Sequence, residues 1–156
     1  MNNEIQQEEF LRRTFELLNH KVITALKFRG LSANYRKEVM ELPLTNIKGC
    51  HYEIGLHKDC HEIALHFQGS AENNKFRSES FKPFKQQIES ALGFSVIIGP
   101  HERTGVRKRL WVSLPLAPLT SDLENEYSEI AFNLIASTLP ILQSIIEKES
   151  IAKNRE

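Results

Sequence analysis

Four of the six histidines in this chain fall inside one run, HYEIGLHKDCHEIALHF, residues 51–67. His51, His57, His61 and His66 are interleaved there with Glu53 and Glu62, and imidazole plus carboxylate is a competent ligand set for zinc or another transition metal. Two features argue against a metal centre. No HExxH or CxxC spacing occurs, and a hairpin with a four-residue loop at 58–61 would carry His51 and His66 away from His57 and His61. That register sets Leu56 opposite Ile63 and Ile54 opposite Leu65, with His57 facing Glu62 and Glu53 facing His66 on a wet face. A two-residue Lys58-Asp59 loop also keeps parity, but it lacks the Gly or Asn that primed turns prefer. The expectation is therefore surface His–Glu pairs, no metal site and no cofactor, with a metal-dependent hydrolase on this hairpin as an alternative.

A second run with chemical potential is HERTGVRKRLW, residues 101–111. Arg107, Arg109 and Trp111 share one face of an extended strand, where guanidinium groups could meet phosphates while the indole stacks on a base. With Arg103 and Lys108 they form a candidate nucleic-acid-binding set. The competing reading packs Trp111 beneath a helix or a second subunit, with the arginines solvated around it. Charge distribution permits either. The 156 residues carry 20 basic and 20 acidic side chains, so no global field draws a polyanion. Locally, residues 17–37 carry five bases and no acid, and residues 75–109 carry eight bases and three acids. The remainder is correspondingly acidic, as complementary patches between subunits would also require.

Other chemistries find no footing. The chain contains no G-x-S-x-G, no Cys-His protease signature, no G-x-x-x-x-G-K-[ST] and no G-x-G-x-x-G. No catalytic residue is assigned, and an enzyme is the lesser expectation. Cys50 and Cys60 would lie about 30 Å apart at the base and tip of the hairpin, so no disulfide is expected and a reducing, cytoplasmic setting follows. The first ten residues, MNNEIQQEEF, lack the basic and apolar segments of a secretory signal.

The elements that must position these residues can be read from periodicity. Phe10, Leu11, Phe15, Leu18, Val22 and Leu26 recur at helical spacing before Gly30, predicting a first helix within 1–30. Residues 38–48 alternate weakly, and Pro43 would confine any strand there to a sheet edge. Tyr52, Ile54 and Leu56, then Ile63, Leu65 and Phe67, alternate with polar residues and predict a hairpin with one buried face. A polar loop at 68–77 precedes a helix capped by Ser78 or Ser80 and closed by Gly93. Strands at 94–98 and 107–114 form a second hairpin. Ser121 with Glu124 has the form of a capping box opening a terminal helix over 121–152.

The order α-(β)-β-β-α-β-β-α predicts one α+β domain over 1–156, an antiparallel sheet of four or five strands with helices on one face. In the terminal helix two neighbouring apolar stripes make an arc wider than one sheet face needs, and Pro140 should kink it near Leu139. The stretch 130–146 is broken by Asn133, Ser137, Thr138, Pro140, Gln143 and Ser144, so no membrane span is expected. The excess apolar surface instead suggests a homodimer through Trp111, Leu139, Leu142 and Ile146.

From His51 to about Ile146 the chain resembles a family of uncharacterised bacterial domains found with restriction-type nuclease or defence proteins. The resemblance lies in the strand Glu62–Phe67, the segment Glu72-Asn73-Asn74-Lys75, the motif Phe84…Gln87-Ile88-Glu89…Leu92-Gly93 and the basic strand Arg107–Leu114. It implies a link to nucleic-acid processing or defence and assigns no catalytic residue. The element order also resembles that of type III secretion chaperones, which implies a small dimer. Together these readings predict a non-catalytic, self-associating accessory protein that binds a protein partner, with the nucleic-acid-binding module and the metal-dependent hydrolase as alternatives.

Overall fold

A computed structural model describes residues 3–101 and 105–154. The elements run α1 (Asn3–Leu26), β1 (Asn34–Arg36), β2 (Val39–Leu44), β3 (Ile47–Leu56), β4 (His61–Phe67), α2 (Ala71–Phe81), a 3-10 turn (Lys82–Phe84), α3 (Lys85–Leu92), β5 (Ile97–Pro100), β6 (Lys108–Leu114) and α4 (Ser121–Asn154). The fold is α+β: six antiparallel strands in the order β1-β2-β3-β4-β6-β5, with helices against one face.

Side-chain alternation decides what each face carries. Met40, Leu42, Tyr52, Ile54, Leu56, Ile63, Leu65, Phe67, Leu110 and Val112 point to the helices and form one core with Leu11, Leu18 and Val22 of α1 and Leu134 and Leu142 of α4. Polar ties fix the layers. The Tyr52 hydroxyl is 2.7 Å from Thr138 Oγ1, and His61 Nδ1 shares a 2.6 Å hydrogen bond with the Tyr127 hydroxyl. Arg77 of α2 donates from Nε and Nη2 to both Glu149 carboxylate oxygens at 2.9 and 3.0 Å, and from Nη1 to the Lys48 carbonyl.

Several expectations require correction. The weak segment before the first hairpin is itself a hairpin, so β2 is an interior strand despite Pro43. Proline fits because β1 pairs only with residues 39–41, and β2 shifts register between Pro43 and Leu44. Residues 71–77 are helical. Ser70, not Ser78 or Ser80, caps α2 by accepting from the Asn73 N–H, and buried Asn74 donates to the Gly69 and Val106 carbonyls. Gly93 closes α3 in the left-handed conformation, at φ 76°. Thr120 caps α4, one residue before the expected Ser121. That helix continues through Pro140, which lies on its exposed side.

By length and composition alone α4 is apolar enough to cross a membrane, a test that the core helix of a folded domain also passes. Here its apolar stripe belongs to the core. Leu139 and Leu142 are 5% and 0% exposed within the single chain, which removes them from any surface offered to a second copy, while Trp111 and Ile146 are half-buried. The wide arc is filled from both sides, because α1 and α3 pack on α4 as well as the sheet.

Candidate metal centre on the open sheet face

The sheet face turned away from the helices carries His51, Glu53, Gly55, Glu62, Ala64, His66, Arg109 and Trp111. Its centre is dry: His66 is 2% exposed, Glu62 5%, and His51 and Glu53 7% each. This corrects the expectation of a wet face. β3 and β4 are interior strands, and the long side chains they share with β6 cover one another, with no helix needed. His51 stacks on His66 with ring centroids 5.2 Å apart and planes 3° from parallel. The Arg109 guanidinium lies 3.9 Å from the centroid of the Trp111 ring.

The register that builds this cluster is the one the two-residue Lys58-Asp59 loop gives, two residues away from that of the favoured four-residue loop. Leu56 pairs with His61, Ile54 with Ile63 and His51 with His66. Alternation survives such a slip unchanged, since the side-chain period is two, but the neighbours do not. His51 and His66 become direct cross-strand partners, His66 in turn faces Arg109 across β6, and His61 turns to the helix side. His51 and His66 do lie toward the opposite end of the hairpin from His57 and His61, as expected, but Glu53 joins the first two into a group of donors that needs neither of the others.

The donors converge on Glu53. His51 Nε2 donates to Glu53 Oε2 at 3.1 Å, and His66 Nε2 lies 3.6 Å from the same oxygen and 3.9 Å from Glu62 Oε1. Tetrahedral ligands about 2.0–2.1 Å from a zinc ion sit about 3.3 Å from one another, a value that these separations bracket. His51, Glu53 and His66 each present one donor atom within 4.8 Å of the other two. Arg109 Nη1 holds Glu62 Oε2 at 2.7 Å, leaving Oε1 toward His66 and toward His57 Nε2, 3.3 Å away.

Protonation states suit a cation. Burial drives the His66 imidazole down to about pKa 4, so its ring is neutral near pH 7. Burial works against ionisation of Glu53, but the His51 hydrogen bond overcomes it and holds the carboxyl below the usual carboxylate range. Glu62 follows the same pattern: burial opposes the charge, and the His57 hydrogen bond and Arg109 restore it. The His57 imidazole is raised by that hydrogen bond. Among the described residues neither nitrogen of His66 has a hydrogen-bond partner, and none is found for the buried Nδ1 of His101, whose ring centroid is 5.7 Å from that of His66.

The basic set does not gather on one surface. Arg103 lies outside the described residues. Lys108 falls on the opposite side of β6 from Arg109 and Trp111, its Nζ donating to the Gly105 carbonyl. Arg109 is buried and ion-paired with Glu62, and Arg107 is exposed just before the strand. Both cysteines are free thiols. Sequence reasoning passed over Gly55 and His101, and it treated Glu53 and Glu62 as surface ion-pair partners. The signal that could have found the cluster is the parity of H-x-E-x-G-x-H over 51–57 and E-x-A-x-H over 62–66, which sets six polar or small residues and Ala64 on one face.

No protein-family model, no curated protein and no solved structure matches this chain.

Proposed function

We propose that this protein binds a divalent transition metal on its open sheet face, through His51, Glu53 and His66, and that its activity is metal-dependent. The observation that carries the reading is His66, a side chain 2% exposed whose two ring nitrogens make no hydrogen bond among the described residues, held 3.6 and 3.9 Å from two carboxylates. Buried polar groups are nearly always satisfied, and an orphaned one calls for a partner of its own. Two imidazoles and one carboxylate suit zinc, iron(II) or manganese, and leave a coordination position for water or substrate. Neutral imidazole and ionised carboxylate are also the forms a metal requires.

This reading takes precedence over self-association through α4, whose Leu139 and Leu142 are used within one copy. It also takes precedence over polyanion binding, because the Arg109 charge is directed to Glu62. The test is a calorimetric Zn2+ titration of untagged, chelator-treated protein. Wild type should bind, and His51→Ala and His66→Gln should each weaken binding at least 100-fold. Absence of binding in wild type, or wild-type affinity in both variants, overturns the reading.

A further inference from the structure

Beside the first group of donors lies a second. Glu53, His57 and Glu62 also offer one ligand atom each within 4.8 Å of one another, so Glu53 belongs to both groups. What brings His57 into range is the residue two positions before it. Gly55 pairs with Glu62 across the strands, and a Cβ placed on Gly55 would stand 3.0 Å from the Cδ2 and Cε1 atoms of the His57 ring and overlap its Nε2. The missing side chain is the space in which the imidazole folds back along its own strand to reach Glu62 Oε1 at 3.3 Å. Glycine in a strand interior weakens the strand and commonly marks a place where another group must approach closely. Here that group is the His57 ring.

Arg109 completes the arrangement. By holding Glu62 Oε2 it turns Oε1 to the gap between His57 and His66, where both histidines point their Nε2 atoms.

We propose that the open sheet face holds two divalent cations side by side, the first on His51, Glu53 and His66 and the second on Glu53, His57 and Glu62, with Glu53 common to both. This deepens the metal reading above and rests on it. Paired metal ions stand about 3.5–4 Å apart, a separation that a shared carboxylate spans. The two positions differ in access. The side chains of the first are buried, whereas His57 keeps 35% of its side chain exposed and borders a cleft of about 490 Å3 lined also by Glu38, Lys58, His61 and Leu116. The second ion is the one that exchanges with solvent, and the cleft is its route.

The test is a Mn2+ titration of the untagged full chain, with bound metal counted after removal of excess and the ions observed by electron paramagnetic resonance. Wild type should hold two Mn2+ per chain with the broadened spectrum of a coupled pair. His57→Gln and Gly55→Ala should each hold one, with the resolved lines of an isolated ion. His57 is partly exposed, so His57→Gln decides the matter if Gly55→Ala does not fold by circular dichroism. One ion in wild type that disappears in His66→Gln sinks the second position and leaves the first standing. Two ions retained in His57→Gln overturn the assignment of the second, and no ion in wild type overturns both.

Discussion

The imidazoles of His51 and His66 lie parallel, 5.2 Å between centroids, with both Nε2 atoms turned to the same Glu53 oxygen. Cross-strand pairing of two histidines on interior strands of a sheet is what makes the buried cluster, since each ring shields the other and both face Glu53. The buried location of the second ring has a direct consequence for acid stability.

His66 titrates near 6.5 in an unfolded chain and at about 4 in the folded one, because burial disfavours its charged form. Between those values the unfolded chain binds more protons, so stability must fall as the pH drops through the window. The contribution is complete above pH 6.5 and gone near pH 4, and it amounts to about 3 kcal/mol. Urea unfolding of chelator-treated protein from pH 7.5 to 4.5 should show this slope, and His66→Phe should flatten it. An equal slope in both proteins would refute the assignment.

Arg109 and Glu62 form an ion pair whose side chains are 10% and 6% exposed. Removing one partner strands the other charge, so Arg109→Gln should cost about 3–5 kcal/mol in denaturant unfolding. Glu62→Gln in the same chain should recover part of the loss, which a double-mutant cycle measures. The single variant should also weaken metal binding about 10–100-fold, because the Glu62 carboxylate loses the group that orients it.

Arg77 joins three elements through one guanidinium: α2 carries it, the Glu149 carboxylate of α4 takes two of its bonds and the Lys48 carbonyl of β3 a third. Lysine cannot reproduce this fork. Arg77→Lys should lower stability by about 2 kcal/mol, read by thermal unfolding. A loss no larger than that of an exposed lysine substitution would show the fork to be inconsequential.

Leu142 is fully buried in one copy. Leu142→Ala should therefore cost about 2–5 kcal/mol through the cavity it leaves, with an unchanged sedimentation coefficient. Altered self-association with unchanged unfolding would return Leu142 to an interface between copies.

Most of the element order was legible in the residues. Strict alternation marked β3 and β4, the apolar period marked α1 and α4, and Gly93 marked the end of α3. Two elements left no such trace. The β1-β2 turn uses Lys37 in the left-handed region at φ 52°, where no glycine or asparagine announces it. Helix α2 has almost no apolar period, because buried Asn74 and Arg77 replace the usual oily face with hydrogen bonds to distant segments.

By itself the sequence determined parity: His51, Glu53, Gly55, His57, Glu62 and His66 had to share one side of the sheet, because side chains in a strand alternate whatever the strand pairs with. Which of them touch was decided only by the tertiary structure. A two-residue shift of register keeps every apolar side chain on the helix face and costs the local pattern nothing, yet it turns His66 from the partner of Glu53 into that of His51. The dryness that leaves His66 without a hydrogen bond comes from β4 lying between β3 and β6, a neighbour more than forty residues away along the chain. No local pattern of residues encodes a contact of that range.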